Sequence, residues 1–288
     1  MTPEGSPLIV NVALTGMVPT KADNPALPVT SEEIAADAAR CHEAGASIVH
    51  LHARDDEGRP TYRKDVYARI VAAVRERCPD VIVCVSTSGR TFRAFEERSE
   101  VLDLSGDLAP EMASLTLGSL NFPTQASVND PDMIRRLAER MRERGIAPEL
   151  EVFDLGMIDY ARFLLDRGIL EPPLYFNILL GSLGTLSATP LHLATAVAAL
   201  PAEATWAAAG IGRFQLQTNA MAIAMGGNVR VGLEDNLWMD IAKERPATNL
   251  DLVRRLVRLA EAIERPVASP DEARRLIGLA SGAAVARH

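Results

Sequence analysis

The sequence has few cysteines. Cys41, Cys78 and Cys84 are the three among its 288 residues, and no two of them form a C-x-x-C pair. An odd number of widely spaced cysteines does not suggest a disulfide framework. We therefore expect a protein of a reducing compartment, the cytoplasm.

Long hydrophobic runs are also missing, because charged residues interrupt the apolar stretches. The sequence therefore predicts no transmembrane span. Its first residues, MTPEGSPLIVNV, lack a basic segment followed by an apolar one, so we expect no secretory signal. Aromatic residues make up 5% of the chain and the formal net charge is −8, which argues against a nucleic-acid partner. A basic pocket for a small anionic substrate remains compatible with this charge.

Short β-type runs alternate with helical patterns along almost the whole chain. We count eight strand candidates: LIVNVAL from Leu8, SIVHLH from Ser47, VIVCVS from Val81, MASLTL from Met112, ELEVF from Glu149, LYFNILL from Leu174, TWAAAGI from Thr205 and NVRVGL from Asn228. Eight strands that are each followed by a helix-sized stretch predict an α/β fold, a (β/α)8 or TIM barrel. An open, doubly wound parallel sheet is the alternative, because alternation alone does not show closure.

No repeat, low-complexity tract or linker divides the chain, so we expect a single domain over residues 1–288. Two stretches depart from the simple alternation. In the fourth unit, a long connection precedes the helix that follows MASLTL. At the C-terminus, NLDLVRRLVRLAEAIE and SPDEARRLIGLA predict a helical extension over about 249–288, which we interpret as a cap or an oligomer contact.

Two of the five histidines stand one residue apart in SIVHLH. Residues two apart in a strand point to the same side, so His50 and His52 share a face while Val49 and Leu51 share the other. If Val49 and Leu51 pack on helices, both imidazoles point into the barrel near the end where barrel enzymes form their active sites. We interpret the pair as metal ligands. The alternative is that the two rings only hydrogen-bond to neighbouring strands.

A third ligand is offered by the last strand. In NVRVGLEDN, Arg230, Gly232 and Glu234 share one face by the same alternation. Strand eight closes on strand one, beside strand two, so Glu234 can reach the histidines. Two histidines and one carboxylate leave coordination positions open, as catalytic zinc sites do. Iron(II) accepts the same ligands, but zinc is our prediction.

An inward-facing arginine needs acidic partners or a bound anion, because it stays protonated. Asp235 is the nearest candidate partner of Arg230, provided that the chain leaves strand geometry after Glu234. Otherwise Asp235 is a solvated acid at the rim. Glu149 and Glu151 share a face of the fifth strand, and one of them could pair with Arg230 or orient a ligand instead.

Polar residues also follow other strands. Ser86 begins the turn STSGR, which ends at Arg90 and can offer hydroxyl and N–H donors to a carboxylate. Such turns often only reverse the chain, so this signal is weak alone. Ser119 and Asn121 follow the fourth strand, and glycines with Arg213 follow the seventh.

Several segments together resemble the β-keto acid cleavage enzymes, the family that includes the 3-keto-5-aminohexanoate cleavage enzymes of lysine fermentation. These segments are LTGMVPTKADNPALPVT, AGASIVHLHARDDEGRP, VSTSG, LNF, AGIGRFQ and RVGLEDN. The resemblance runs from about Val10 to the end of the chain, and HLH and RVGLEDN are its most specific parts. It implies a zinc-dependent (β/α)8 barrel with one Zn²⁺ per subunit, assembled as a homotetramer. It also implies that a β-keto acid and acetyl-CoA are converted into acetoacetate and a new acyl-CoA.

The resemblance also implies roles for particular residues. The metal ligands fall on His50, His52 and Glu234, and a catalytic Arg-Asp pair falls on Arg230 and Asp235. The substrate-binding residues are expected among Val18, Ser86, Arg90, Ser119, Asn121 and Glu151.

Position 18 departs from the pattern of the relatives that act on the amino substrate. Those relatives carry Glu at the second position after the TG of strand one, where it faces the substrate ammonium. This chain has Val18, which would leave a partly desolvated ammonium without a counter-charge. We therefore expect a substrate other than 5-amino-3-oxohexanoate. Arg90 could instead accept a second carboxylate, unless it is a solvated loop residue.

Two other functions stay open at this point. One is a metal-dependent hydrolase or aldolase on a TIM barrel, which would turn over without CoA. The other is a non-catalytic barrel that binds a small carboxylate. Omission of acetyl-CoA and metal analysis of the purified protein would separate these readings.

Overall fold

The computed structural model describes residues 5–279, and its strands form a closed parallel barrel. We number the barrel strands β1 to β8; each pairs with its neighbour in sequence, and β8 closes on β1. Their bounds are β1 Val10–Ala13, β2 Ile48–Leu51, β3 Ile82–Val85, β4 Met112–Thr116, β5 Ala147–Val152, β6 Tyr175–Leu180, β7 Thr205–Gly210 and β8 Asn228–Val231. The predicted (β/α)8 barrel is confirmed, and each strand lies within its predicted segment or overlaps most of it.

Helices surround the barrel. Their bounds are α1 Ser31–Glu43, α2 Lys64–Arg77, α3 Phe95–Ser99, α4 Pro131–Glu143, α5 Leu155–Asp166, α6 Pro190–Ala199, α7 Gln215–Ala224, α8 Asn249–Ala262 and α9 Pro270–Ile277. The start of α1 is fixed by a capping box. The Thr30 hydroxyl accepts a hydrogen bond from the backbone N–H of Glu33, and the Glu33 carboxylate accepts one from the backbone N–H of Thr30. Among the described residues, no helix has the length and apolar character needed to cross a bilayer.

The connections around β4 are less regular than the rest. Between β3 and β4, the five-residue helix α3 is followed by two 3₁₀ turns, Glu100–Asp103 and Gly106–Leu108. After β4, the predicted long connection contains a two-stranded hairpin, in which Leu120–Asn121 pairs with Ala126–Ser127. This hairpin brings Phe122 over the C-terminal end of the barrel, where it lines a cavity.

The last helix closes the opposite end of the barrel. Ala273 and Ile277 of α9 pack with Ile9, Ile48 and Ile82, which precede or begin their strands. Arg274 is buried there, and its guanidinium donates to both carboxylate oxygens of Glu111 at 2.7 and 2.9 Å. Because this end is filled by apolar side chains and a buried ion pair, the C-terminal end of the strands is left for a site.

The two C-terminal helices, α8 and α9, follow β8. Helix α8 follows β8 and packs against α1 and α7, so it occupies the place of the eighth barrel helix. Within the described residues, α9 is thus the element added to the repeat. Residues 280–288 of the predicted extension lie outside the described residues.

Candidate metal centre and active site

Two histidines and a glutamate meet at the C-terminal end of the barrel. His50 lies in β2, His52 follows that strand directly, and Glu234 lies in the turn after β8. Nε2 of His50 is 3.2 Å from Nε2 of His52 and 3.8 Å from Oε2 of Glu234. Nε2 of His52 is 3.3 Å from the same oxygen. Three donor atoms therefore surround one small volume.

This set of atoms fits a tetrahedral metal ion. Ligands at 2.0–2.2 Å from a tetrahedral ion stand about 3.4 Å from one another, close to the separations observed here. Oε2 of Glu234 is buried and has no hydrogen-bond partner among the described residues, which is costly for a carboxylate that nothing else compensates. Burial lowers the pKa of His52, which favours the neutral imidazole that a metal requires.

Glu149 fixes the orientation of the His50 ring by a contact with its Nδ1 atom. Its Oε2 lies 2.7 Å from Nδ1 of His50, which directs Nε2 of that ring towards His52 and Glu234. Asn11 and Asn177 each donate to Oε1 of Glu149, at 2.6 and 2.7 Å. Burial opposes ionisation of Glu149, but His50, Arg230 and Asn11 lower its pKa to about 2. Burial would lower the pKa of His50, yet the Glu149 carboxylate raises it above the ordinary value.

A second group of potential ligands shares His50 and is a poorer metal site. It consists of His50, Cys84 and Glu149, all of them buried. Burial raises the pKa of the Cys84 thiol well above its ordinary value, so the thiolate that binds metals is disfavoured. The Sγ atom lies within 3.4 Å of Glu149 Oε2 as a hydrogen-bond donor. The set with Glu234 is therefore the candidate metal centre.

The turn after β8 brings both Glu234 and Asp235 to the site. Gly232 has φ +147° and packs so closely on β1 that a Cβ there would lie 2.1 Å from the carbonyl oxygen of Ala13. Asp235 and Asn236 both donate their backbone N–H to the Gly232 carbonyl, which closes a tight turn. The chain thus leaves strand geometry at Gly232, before Glu234 rather than after it. Consecutive acids can then both face the barrel axis.

Arg230 holds three acids around the centre. Its Nη1 donates to Glu151 at 2.9 Å, its Nη2 to Oε1 of Glu234 at 2.8 Å and its Nε to Asp235 at 3.1 Å. The side chain is 1% exposed, so its charge depends on these partners. Burial together with the neighbouring Glu234 raises the pKa of Asp235, against the opposing effect of Arg230. A carboxylate with a raised pKa beside a metal centre is suited to general-base chemistry.

A cavity of about 560 Å³ opens above this centre. Four of the expected substrate-binding residues line it: Val18, Ser86, Arg90 and Glu151. Ser119 and Asn121 are not on its wall. The Ser119 hydroxyl accepts from the backbone N–H of Asn129 at 2.8 Å, and Asn121 is exposed in the hairpin after β4.

The sequence agrees with a known family over nearly the whole barrel. A family model described as beta-keto acid cleavage enzyme matches residues 7–279. This chain belongs to the β-keto acid cleavage enzyme family. The expected membership is confirmed, and the chain is an enzyme of this family.

Named relatives of this β-keto acid cleavage enzyme cover most of its length. A 3-keto-5-aminohexanoate cleavage enzyme of Fusobacterium nucleatum is 43% identical over 260 residues, which cover 89% of this chain and 92% of the relative. A 3-oxoadipate:acetyl-CoA acetyltransferase of Cupriavidus necator is 40% identical over 258 residues, covering 88% and 89%. Among solved structures, the complex of ObcA with oxaloacetate has a TM-score of 0.80 at 24% identity, over 88% of this chain and 68% of that one. That likeness supports the barrel fold alone.

Several residues of this β-keto acid cleavage enzyme's site were missed in the sequence. Asn11 and Asn177 hold Glu149, and polar residues within apolar strands are the signal that could have revealed them. Arg54 is buried beside the first loop, where it donates to the carbonyl of Gly16. Phe122 reaches the cavity through a hairpin that has no clear pattern in the sequence.

Proposed function

We propose that this chain is a zinc-dependent acyltransferase that cleaves a β-keto acid with acetyl-CoA as the second substrate. The observation that carries the proposal is the meeting of His50, His52 and Glu234 around one volume, beside the Arg230–Asp235 pair and beneath the cavity. Family membership supplies the reaction class, and the relative from Cupriavidus necator carries acetyl-CoA in its name.

A bound zinc ion would polarise the ketone of the β-keto acid and offset the negative charge that develops on its oxygen. His50, His52 and Glu234 would hold it, with Glu149 keeping His50 oriented. Two imidazoles and one carboxylate are a common catalytic zinc set.

Residues of the chain itself remove and return the proton of the substrate methylene group. Asp235, held by Arg230, removes a proton from the methylene between the ketone and the carboxylate. The carbanion attacks the thioester carbonyl of acetyl-CoA, which forms a carbon–carbon bond and releases the CoA thiolate. That thiolate attacks the former ketone carbon, and the bond from this carbon to the methylene carbon breaks. Protonation of the departing carbanion by Asp235 gives acetoacetate, while the remainder leaves as acyl-CoA.

Other residues of the cavity position the substrates. The Ser86 hydroxyl lines the cavity and is available to a substrate oxygen, and Glu151 and Arg230 line the same cavity. Val18 is 56% exposed on the same wall and offers an ammonium group no counter-charge. We therefore propose that 5-amino-3-oxohexanoate is a poor substrate. A homotetramer is the assembly we expect from the family.

The test is an assay of purified protein with acetyl-CoA and a panel of β-keto acids that carry neutral, cationic and anionic tails. Acetoacetate and the matching acyl-CoA should appear together in equal amounts, and the protein should contain about one zinc per chain. Omission of acetyl-CoA should stop turnover. Turnover that continues without acetyl-CoA would favour a hydrolase or aldolase. Absence of turnover after zinc is supplied would favour a binding protein.

A further inference from the structure

Arg90 is a cation on the cavity wall without an acidic partner. Within residues 5–279, its guanidinium makes no ion pair and donates no hydrogen bond; only its backbone N–H donates, to the Ser88 hydroxyl. The Cζ atom lies 3.3 Å from the centre of the Phe122 ring, which holds the side chain against the cavity wall. Burial lowers the pKa of Arg90, so part of its hydration has been lost without replacement.

The buried arginines near the site, unlike the half-buried Arg90, have partners within the protein. Arg230 contacts three carboxylates, and Arg54 donates to the carbonyl oxygens of Gly16 and Pro19. Arg98 donates to the Thr87 carbonyl and the Asn129 side chain. Arg90 therefore differs from them, and a guanidinium that lacks a partner in the protein is suited to receive one from a ligand.

The acids of the cavity wall already have partners of their own: Asp23 accepts from the Thr20 hydroxyl, Asp240 accepts from the backbone N–H of Arg245, and three others are held by Arg230. Glu151 is held by Arg230 on one oxygen and by the Thr116 hydroxyl on the other, at 2.9 and 2.7 Å. Asp235 accepts two hydrogen bonds from Arg230. Glu234 accepts from the same arginine and faces the histidines. A new anion at Arg90 would thus come from the substrate.

The surfaces near Arg90 suit an aliphatic chain. Phe122, Phe153, Leu179 and Val18 line the same cavity and present apolar surface. A volume of about 560 Å³ is within the range of small-molecule sites, so it has room for an extended acid and the reacting end of acetyl-CoA. An anion at the end of a short aliphatic chain would match both the apolar wall and the cation.

We propose that Arg90 binds the distal carboxylate of the substrate, so that this enzyme acts on a β-keto dicarboxylic acid. The inference rests on the proposed function, in which the other end of the acid lies at the metal centre. A phosphate of CoA is a second possible anion for this arginine. Arg213 and Lys243 are more exposed cations on the cavity wall and are better placed for a hydrated phosphate.

The experiment compares each diacid with a matched ester that lacks the distal charge. The probes are 3-oxohexanedioate and 3-oxoheptanedioate, each beside the monomethyl ester of its distal carboxyl group. The wild-type protein, Arg90→Gln, Arg90→Lys and the control Arg93→Gln are assayed for kcat/KM with each probe and for the KM of acetyl-CoA. Arg93 is an exposed residue of the same loop and does not line the cavity.

We expect the wild-type protein to prefer at least one diacid to its ester, and Arg90→Gln to lower kcat/KM for that diacid about 100-fold, as expected for a lost charge-assisted pair. For the ester, kcat/KM should differ less than about threefold between the wild-type protein and Arg90→Gln, because the ester has no distal carboxylate to pair with Arg90. Arg90→Lys should retain part of the preference, and Arg93→Gln should match the wild-type protein. Equal losses on diacid and ester would overturn the proposal, as would a loss confined to the KM of acetyl-CoA.

Calorimetry separates a failure of this inference from a failure of the proposed function. Hexanedioate and its monomethyl ester are titrated into the zinc-loaded wild-type protein and into Arg90→Gln, which requires no turnover. Tighter binding of the diacid that disappears in Arg90→Gln would support the anion site even if no β-keto acid reacted. Turnover of β-keto acids without any dependence on Arg90 would leave the proposed function standing and refute the role of Arg90.

Discussion

The Glu149 carboxylate lies 2.7 Å from Nδ1 of His50 and connects the interior of the barrel to the candidate metal centre. Asn177 on the adjacent strand β6 and Asn11 on β1, on another side of the barrel, both donate to this carboxylate, so its position is fixed before any metal binds. Acids in this position raise the basicity of a ligating histidine and restrict its tautomer. Glu149 therefore acts on the site through His50.

Replacement of Glu149 by Gln should weaken zinc binding about 10- to 100-fold, because the amide keeps the shape but removes the charge that supports His50. The measurement is competition for zinc with a chelator of known affinity. Glu111→Gln is the matched control, since Glu111 is also held in a buried ion pair, with Arg274 at the far end of the barrel. Equal zinc affinity in the wild-type protein and Glu149→Gln would contradict the role of Glu149.

Replacement of Glu234 by Ala, or of His50 by Ala, should abolish zinc binding and activity together. Each substitution removes one of the three donor atoms, and two ligands hold zinc far less tightly than three. Metal content after dialysis and acetoacetate formation are measured on the same preparation. His192→Ala serves as control, because His192 accepts a hydrogen bond from the backbone of Ser187 away from the centre. A variant that lost activity but kept stoichiometric zinc would argue against this ligand set.

Asp235→Asn should separate chemistry from metal binding. Asn keeps a hydrogen-bonding oxygen towards Arg230 but cannot accept a proton from carbon, so turnover should fall about 10²- to 10⁴-fold. Zinc content should stay at the wild-type level, because Asp235 is not among the candidate ligands. Turnover at the wild-type rate would remove Asp235 from the proposed mechanism.

Gly232→Ala should destabilise the protein and disturb the site at the same time. The added Cβ would lie 2.1 Å from the Ala13 carbonyl oxygen, at a φ that side chains rarely adopt. Strain of this kind costs on the order of 1–3 kcal/mol before the clash is counted, and thermal unfolding measures it. Gly168→Ala is the control: its φ is also positive, but a Cβ there meets no atom within 4 Å. A Gly232→Ala variant as stable as Gly168→Ala would show that the turn adapts.

Arg274→Ala should lower the free energy of unfolding by about 1–3 kcal/mol, because it leaves the partly buried Glu111 carboxylate without its partner. The neighbouring Arg275 is exposed in the same helix, so Arg275→Ala controls for the change in helix composition. Zinc affinity of the folded fraction should not change in either variant, since α9 lies at the end of the barrel away from the site. A small loss of stability in Arg274→Ala would show that the attraction within the ion pair is little larger than the cost of removing its two charges from water.

The barrel and the grouping of His50, His52 and Glu234 could be predicted because both follow from simple periodicity. Apolar runs bounded by charged or turn residues marked every strand, and the alternation of side chains in SIVHLH placed His50 and His52 on one face. The same alternation in NVRVGLEDN, with the closure of strand eight on strand one, offered Glu234 as the third ligand. The catalytic pairing of Arg230 with Asp235 came from the family resemblance.

Other features depended on backbone details that no such pattern carries. The direction of Asp235 is set by the close packing of Gly232 on β1, which alternation alone did not reveal. Ser119 is bound to the Asn129 backbone rather than exposed to the cavity, because the hairpin after β4 folds the connection back. The helical pattern of α9 was visible, but its position under the barrel depends on contacts between distant segments.

The helix that closes the barrel also lies on the same face as two described segments that are distant in sequence, away from the substrates. Leu8 pairs with Val267, and the Arg265 side chain donates to the Ser6 carbonyl, so the first described residues and the segment that precedes α9 lie together beneath the strands. A fluorophore attached to either of these two described segments would thus leave the reactive opening facing solution. Forms labelled there should accordingly keep the KM values of the unlabelled protein.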